Sequence, residues 1–349
     1  MAVVSGASKP IVLTREAEGA RSRSPLQDAL YQFLHNRLAM VSLLFVLFLI
    51  FLAFTADYWR SIGLIEDPTR VHRASEAGRE VEAPMTCARD NPPGTPQYCF
   101  VLGSDTLHRD LLSRLVYGTR VSLAVAFVGT VLSVGIGLAY GLIAGYFGGA
   151  VDNAMMRLVD FLYGIPDLVL IIVMQIFFRS LDNYRDQIGP FGAAMVDLNR
   201  AFGGLFFIFI AIGLLSWIGI ARLVRGQVMS FKRKEFVEAA HAVGASDWRI
   251  IFVHLLPNVI SPLIVIMALS VPGFIFTEAG LSFLNLGVRP PTASWGAMVA
   301  DAERTTGGVG QYPWLVLVPG IALVVVTLAF NYIGEGLRDA LDPRFRATR

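Results

Sequence analysis

The chain has 349 residues, of which 54% are hydrophobic, 16% charged and 11% aromatic, and its mean hydropathy is +0.58. In soluble domains, about a quarter of all residues are charged. The composition therefore excludes a disordered, collagen-like or ordinary soluble chain and indicates a protein whose surroundings are largely lipid. The net charge of +2 is too small to favour nucleic acid as a partner.

Six apolar runs are long enough to be membrane spans, because a helix needs about 20 mostly apolar residues to cross the hydrocarbon core. They cover residues 38–56, 121–151, 161–178, 201–221, 259–277 and 311–334. Lipid offers no hydrogen bonds to bare peptide groups, so we expect each run to be helical. The first run starts too late and is too long for a cleaved signal peptide. The sequence thus predicts an all-α polytopic membrane protein with six transmembrane helices.

The orientation follows from the segment 222–257, which contains Lys232, Arg233 and Lys234. Basic residues in short loops favour the cytoplasmic side. Six crossings place both termini on that same side. We therefore expect a cytoplasmic tail at 1–37, a first span at 38–56 and an extracytoplasmic loop at 57–120. The core at 121–345 would then contain the other five spans and the cytoplasmic loop 222–257.

The two cysteines, Cys87 and Cys99, both fall in the 57–120 loop, and their spacing is no CxxC redox or zinc pattern. A disulfide between them would contribute roughly 3 kcal/mol in the chain-entropy model. The alternative is two unlinked thiols. Their position in one exported loop favours the disulfide, because disulfides persist in oxidising compartments.

Motifs for catalysis and cofactors are not found in the sequence. The five histidines show no metal-ligand spacing. A phosphate-binding P-loop needs a lysine directly after a glycine, and none of the three lysines follows one. We therefore expect no enzyme activity, no metal and no cofactor in this chain. The energy for any transport would come from another polypeptide or from an ion gradient.

Residues 235–257 predict two short helices with apolar residues at helical spacing. The two sets are Phe236, Ala239, Ala240 and Val243, and then Trp248, Ile251, Phe252 and Leu255. Gly244 is expected to end the first helix in a left-handed conformation, and Ser246 or Asp247 to cap the second. Pro257 is expected to break the pattern before the fifth span. Two interpretations remain open: a helix pair lying on the bilayer, and a docking element for a soluble partner.

Glu238-Ala239-Ala240, followed by Gly244 and then by Leu256-Pro257, resembles the EAA loop of permease subunits in ATP-binding-cassette (ABC) importers. The rest of the chain resembles the C-type permease subunit of dipeptide and oligopeptide importers. The matching motifs include Gly103-Ser104-Asp105, Arg109-Asp110, Gly141 to Gly149, Leu281-Ser282-Phe283-Leu284, Ser294-Trp295-Gly296 and Gly336 to Pro343. His108 stands where the family usually has glycine, and residues 179–203 look like an insertion.

The resemblance implies a type I (MetI-like) permease fold in the cytoplasmic membrane of a prokaryote, with peptides or related small solutes as cargo. It implies a second permease subunit, two ATPase subunits that bind ATP and Mg, and an extracytoplasmic solute-binding protein as partners. It also implies that Glu238, Ala239, Ala240, Gly244, Leu256 and Pro257 couple this chain to an ATPase. None of these residues would be catalytic, and no residue of the substrate path can be assigned.

The alternative function is a secondary, ion-coupled transporter. Such a protein would need inverted repeats and broken helices that meet at the middle of the membrane. The sequence shows no convincing internal repeat, and the EAA spacing favours the ABC permease.

Overall fold

The computed structural model describes residues 25–72, 81–88, 98–306 and 310–341. The predicted tail at 1–37 is therefore described only from residue 25. The 57–120 loop is described apart from 73–80 and 89–97, and the end of the Gly336 to Pro343 motif lies outside the described residues.

Helices make up most of the described chain. They are α1 (Pro25–His35), α2 (Arg37–Phe54), α3 (Ala56–Ser61), α4 (Leu111–Phe147), α5 (Gly149–Tyr163), α6 (Asp167–Leu181), α7 (Gly189–Ala201), α8 (Phe206–Leu215), α9 (Trp217–Phe231), α10 (Glu235–Ala242), α11 (Asp247–Arg249), α12 (Leu256–Phe283), α13 (Trp295–Thr306) and α14 (Pro313–Leu341). A π-helical turn at Ile250–Leu255 joins α11 to α12, and a 3₁₀ turn at Asp182–Tyr184 follows α6. Two short strands, β1 (Thr86–Cys87) and β2 (Cys99–Phe100), form an antiparallel pair.

Four helical segments of the described chain are long and apolar enough to cross a membrane. They are Arg37–Phe54, Leu111–Phe147, Asp247–Phe283 and Pro313–Leu341. Two further spans arise if α5 with α6, which meet at 81°, and α7 with α8, which meet at 106°, are each counted as one broken span. The number of spans is then six, as the sequence predicts.

Four of the predicted runs are not single helices, contrary to expectation. Near their ends, the run 38–56 includes Thr55, which separates α2 from α3, and the run 121–151 includes Gly148, which separates α4 from α5. The run 161–178 is interrupted between α5 and α6, because Pro166 restricts the residue before it and lacks an N–H to donate. The run 201–221 is interrupted at 202–205, between α7 and α8, and again at Ser216, between α8 and α9. The indole Nε1 of Trp217 donates to the carbonyl of Leu214 at 2.7 Å across this break. Hydropathy records how apolar a run is and carries no information about where its helix bends.

Helix α4 has 37 residues and packs along α8 and α9 through a ridge of glycines. The ridge consists of Gly137, Gly141 and Gly145, which face α9, and of Gly129, which lies between Phe274 of α12 and Ile212 of α8. A β-carbon on Gly141 would lie 2.6 Å from the carbonyl oxygen of Ala221, and a β-carbon on Gly137 would lie 2.7 Å from Ile220. Small residues allow such a close approach of helices in lipid. Gly135 of the same helix points into open space.

The two ends of the bundle can be told apart from helix contacts. Arg120, near the start of α4, pairs with Asp57 at 2.8 Å and also donates to the carbonyl of Ala53, so α2 runs antiparallel to α4. The start of α2 packs on the end of α14, where a β-carbon on Gly336 would lie 2.4 Å from Ala39. The first and last described helices therefore meet at the end of the bundle where α4 finishes. We call this the inner end, and the opposite one the outer end.

The segment before α4 lies over the outer end. Cys87 and Cys99 face each other in the β1–β2 pair and are joined by a disulfide; its oxidation in the cell stays a prediction. Asp110 caps α4 by accepting the N–H of Ser113 at 2.7 Å, and burial raises the pKa of the Asp110 carboxyl. His108 has a φ of 56°, a left-handed conformation that glycine adopts without steric cost. This conformation explains why glycine suits the position that His108 occupies.

The glycine ridge predicts a position-dependent effect of added methyl groups. Gly141→Ala should lower the free energy of unfolding by about 1–3 kcal/mol, because its methyl group meets a backbone carbonyl that cannot move aside. Gly135→Ala should be neutral or stabilising by up to about 1 kcal/mol, since alanine is the better helix former. The midpoint of thermal unfolding of the purified chain in detergent measures both, and equal midpoints would contradict the packing described.

Candidate functional site

Helix α10 ends at the inner end of the bundle in the way that Gly244 predicts. Gly244 has a φ of 79°, and its N–H donates to the carbonyl of His241 at 2.9 Å. The next N–H, of Ala245, donates to the carbonyl of Ala240 at 3.0 Å. These two bonds form a Schellman motif, which reverses the chain within a few residues and requires the left-handed conformation. The expected role of Gly244 in the turn is confirmed.

The second helix does not break at Pro257, contrary to expectation. The residues from Asp247 to Phe283 form one continuous helical rod that includes the fifth span. Pro257 is the second residue of α12 and follows the π turn directly, so its missing N–H falls where the α-helical hydrogen-bond pattern is already interrupted. The π turn just before it widens the helix, and the N–H of Leu256 donates to the carbonyl of Ile251, five residues back. The inner-end segment is thus continuous with a span.

Tyr146, at the end of α4, contacts three other elements of the inner end. Its hydroxyl donates to Asp247 at 2.6 Å, and its carbonyl accepts a hydrogen bond from Lys232, just after α9. The ammonium of Lys232 also lies 5.2 Å from the centre of the Tyr146 ring, and the ring of His241 in α10 stacks at 6.4 Å. Ser246 occupies the cap position of α11 but makes no side-chain cap bond. The other expected cap residue, Asp247, accepts the hydrogen bond from the Tyr146 hydroxyl.

Each of the two predicted apolar faces is divided between the protein core and the surface. The buried members of the segment are Val237, Ala240, Ile250, Ile251 and Leu255, which pack with residues of α4, α9 and α12. The exposed apolar face consists of Phe236, Val243, Trp248 and Phe252. Val243 is 84% exposed, and the rings of Trp248 and Phe252 stack on each other at 5.9 Å. The helical spacing identified the apolar residues but not which of them turn outward.

An open cleft of about 860 Å³ lies between α10 and the start of the rod. It is lined by Phe236, Ala239, Ala240, Val243, Gly244, Ala245, Ser246, Arg249 and His254. Of the predicted coupling residues, Ala239, Ala240 and Gly244 line the cleft. Glu238 is exposed on the same helix outside the lining, and Leu256 and Pro257 lie beyond it in the first turn of α12.

Tyr146 and Lys232 hold the segment in place, and the sequence pattern identified neither of them as a site residue. Tyr146 is an aromatic residue at the end of an apolar run, and its partners Lys232 and Asp247 lie 86 and 101 residues further along the chain. Nothing in the local sequence signals these contacts. Within the described ranges, no group of three or more His, Cys, Asp or Glu side chains could hold a metal ion.

A family model described as binding-protein-dependent transport system inner membrane component matches residues 137–347. The chain belongs to this family. A second model, described as the N-terminal TM domain of oligopeptide transport permease C, matches residues 24–63.

Named relatives extend the similarity over most of the chain. The oligopeptide transport system permease protein OppC of Haemophilus influenzae is 37% identical over 93% of this chain and 90% of its own length. The dipeptide transport system permease protein DppC of Bacillus subtilis is 36% identical over 95% of this chain and 90% of its own length. A solved structure of the MetNI methionine ABC transporter, in inward-facing conformations, has a TM-score of 0.48 and 20% identity, and the match covers 66% of this chain and 97% of that one.

The family confirms the predicted resemblance and, with the observed helices, the predicted fold class of a polytopic all-α permease. The chain is an integral membrane protein and a permease subunit. The alternative of a secondary, ion-coupled transporter gains no support from these relatives.

The contact between Tyr146 and Asp247 predicts a local change in protection. Tyr146→Phe removes one hydrogen bond and should speed amide hydrogen exchange in the segment 235–255 about three- to tenfold, because such a bond contributes about 0.5–1.5 kcal/mol. Tyr140→Phe is the matched control, since its hydroxyl bonds to the carbonyl of Met155 in α5 instead. Hydrogen exchange followed by mass spectrometry measures both variants. The same exchange in 235–255 for wild type and Tyr146→Phe would contradict the proposed anchoring.

Proposed function

We propose that this chain is the permease subunit of an ATP-driven importer that carries dipeptides, oligopeptides or related small solutes across the cytoplasmic membrane of a prokaryote. We propose further that an ATPase subunit docks on the cleft and the exposed apolar face. The observation that carries this proposal is an exposed apolar face on a segment that is continuous with a membrane span.

The geometry favours docking of a protein over a helix pair lying on the bilayer. A bilayer helix turns its apolar residues towards lipid on one convex side. Here Val237, Ile250 and Ile251 turn towards the protein core, while Phe236 and Val243 border a concave cleft. Small residues form the floor of that cleft and leave space for an inserted side chain or helix. An apolar concave surface with charged groups at its edge is typical of protein recognition.

Two connections support transmission of motion from the docking surface into the membrane. The first is the rod from Asp247 to Phe283, which joins the cleft directly to the fifth span. The second is Tyr146, which links the same segment to α4 and, through Lys232, to α9. A partner that pushes or pulls on the cleft would therefore move two spans, the rod and α4, together with α9.

The relatives' names support peptides as the cargo class. On this proposal, ATP and Mg are bound by two separate ATPase subunits, the solute is delivered by an extracytoplasmic binding protein, and a second permease completes the path. The basic residues Lys232, Arg233 and Lys234 beside α10 support an inner end that faces the cytoplasm, and on this proposal both chain termini lie on that side.

A charge placed in the cleft should abolish coupling. Val243→Asp should reduce ATPase retention on the affinity-purified permease and ATP-dependent uptake at least tenfold, because it buries an unpaired carboxylate in an apolar contact. The side chain is 84% exposed, so the permease itself should still fold. Val71→Asp is the matched control, since Val71 is 60% exposed at the outer end. Full ATPase retention by Val243→Asp would refute docking at the cleft.

Surface labelling tests the orientation and the disulfide together. A membrane-impermeant maleimide should label Val71→Cys from outside and Val243→Cys only after the membrane is permeabilised. The wild-type chain should stay unlabelled until a reductant opens the bond between Cys87 and Cys99. Labelling of Val243→Cys in intact cells or spheroplasts would reverse the proposed topology, and labelling of the unreduced wild type would exclude the disulfide.

A further inference from the structure

The outer end of the bundle contains a second concave site, far along the helices from the cleft. It is a cavity of about 270 Å³ with five arginines in its lining, which we call the arginine pocket. The arginines are Arg109, Arg114, Arg179, Arg289 and Arg304. They come from the residues before and in the first turn of α4, from the end of α6, from the loop after α12 and from α13.

The carboxylates around the pocket do not balance these charges. Asp105 pairs with both Arg109 at 2.7 Å and Arg114 at 3.3 Å. Asp182 pairs with Arg289 at 2.6 Å. The third carboxylate, Asp301, lies 3.7 Å from Arg114, and burial raises the pKa of its carboxyl, which makes it a weaker counter-charge. Among the described residues, the ion pairs of these five arginines thus involve three carboxylates.

Two of the arginines are held in place by backbone carbonyls. Arg179 donates to the carbonyl of Gly287 at 2.6 Å and to that of Asn285. Arg304 donates to the carbonyl of Phe283 at 2.8 Å and lies 3.9 Å from Asp301. Carbonyl oxygens fix the direction of a guanidinium but do not neutralise it, so both arginines keep a positive charge at the pocket.

Arg114 is the most deeply buried of the five, at 2% exposure. Its Nη1 has no hydrogen-bond partner among the residues that the structure describes. Arginine cannot lose its proton in a protein, so this donor stays charged while buried. A buried donor without a partner costs about 1–3 kcal/mol, and more when it carries charge. A group that brings acceptor oxygens into the pocket would recover part of that cost.

Building on the proposed function, we propose that the arginine pocket binds the free carboxylate of the transported solute at the outer end of the permease. A carboxylate matches the fork of a guanidinium with two parallel hydrogen bonds. The volume of the arginine pocket, about 270 Å³, lies just below the roughly 300–1,000 Å³ of pockets that enclose a whole small ligand. The pocket therefore suits one terminal group, and the rest of the solute remains outside it.

The test compares two peptides of the same sequence, one ending in a free carboxylate and one in an amide. ATP-dependent uptake of each is measured in proteoliposomes that contain the complete importer and its binding protein. The measured quantity is the ratio of the two kcat/KM values. Because each ratio comes from a single preparation, it is unaffected by the amount of folded importer, and the binding protein's own preference is the same throughout.

The variants are Arg179→Gln and Arg304→Gln, so that poor folding of one does not decide the result. Each should lower the preference for the free carboxylate about tenfold, because one charged hydrogen-bonding partner is lost. Arg179→Lys keeps the charge and should restore part of the preference. The control is Arg185→Gln at the same end, since Arg185 pairs with Asp197 and does not line the pocket.

An unchanged ratio in both variants, with normal wild-type uptake, would overturn this inference and leave the proposed function intact. If both peptides slowed equally while more binding protein was needed for half-maximal uptake, the pocket would receive a carboxylate of the binding protein, and the inference would be wrong. If the wild-type importer took up neither peptide with ATP, the proposed peptide function would fail, and this inference with it.

Discussion

The close contact of α4 with α8 and α9 is the constraint on which the rest of the structure depends. In lipid, helices gain little from hydrophobic burial against each other, so they associate through close packing and hydrogen bonds. Glycines on α4 bring its backbone against that of α9 near Ala221. This contact fixes the position of Tyr146 along the α9 axis, because Tyr146 follows Gly145 directly and Gly145 packs on Val228 of α9. The position of Tyr146 in turn fixes Lys232 and Asp247, and with them the cleft.

Both concave sites lie at the ends of the same two long elements. The rod from Asp247 to Phe283 begins at the cleft, and its last turn supplies the carbonyls that hold Arg304. Helix α4 begins beside the arginine pocket with Arg114 and ends beside the cleft with Tyr146. A change of tilt in either element would therefore alter both sites at once. Such an arrangement suits a protein in which an event on one side of the membrane controls access on the other.

Composition and glycine positions predicted much of this fold. The length and apolarity of the runs identified the membrane spans, and Gly244 predicted a left-handed turn that only a few residue types adopt easily. The breaks at Pro166 and Ser216 escaped prediction because hydropathy averages over a window. The division of the second apolar face escaped prediction because the π turn at Ile250–Leu255 changes the helical period that the spacing argument assumed. The first face lies before this turn, and its spacing carries no information about which residues the rest of the fold covers. The arginine pocket assembles residues from 109 to 304, and only the tertiary fold brings them together.

The π turn also has a geometric consequence. An α-helix advances by about 100° per residue, so one extra residue in a single turn rotates everything that precedes it relative to everything that follows. Trp248 and α10 lie before the turn, and the membrane-embedded part of α12 lies after it. The angle about the rod axis between the surface that we propose as the ATPase docking site and the face that α12 turns towards its neighbouring helices is therefore set by this π turn. Deleting a single residue there would rotate Trp248 and α10 about the rod axis relative to the membrane-embedded part of α12.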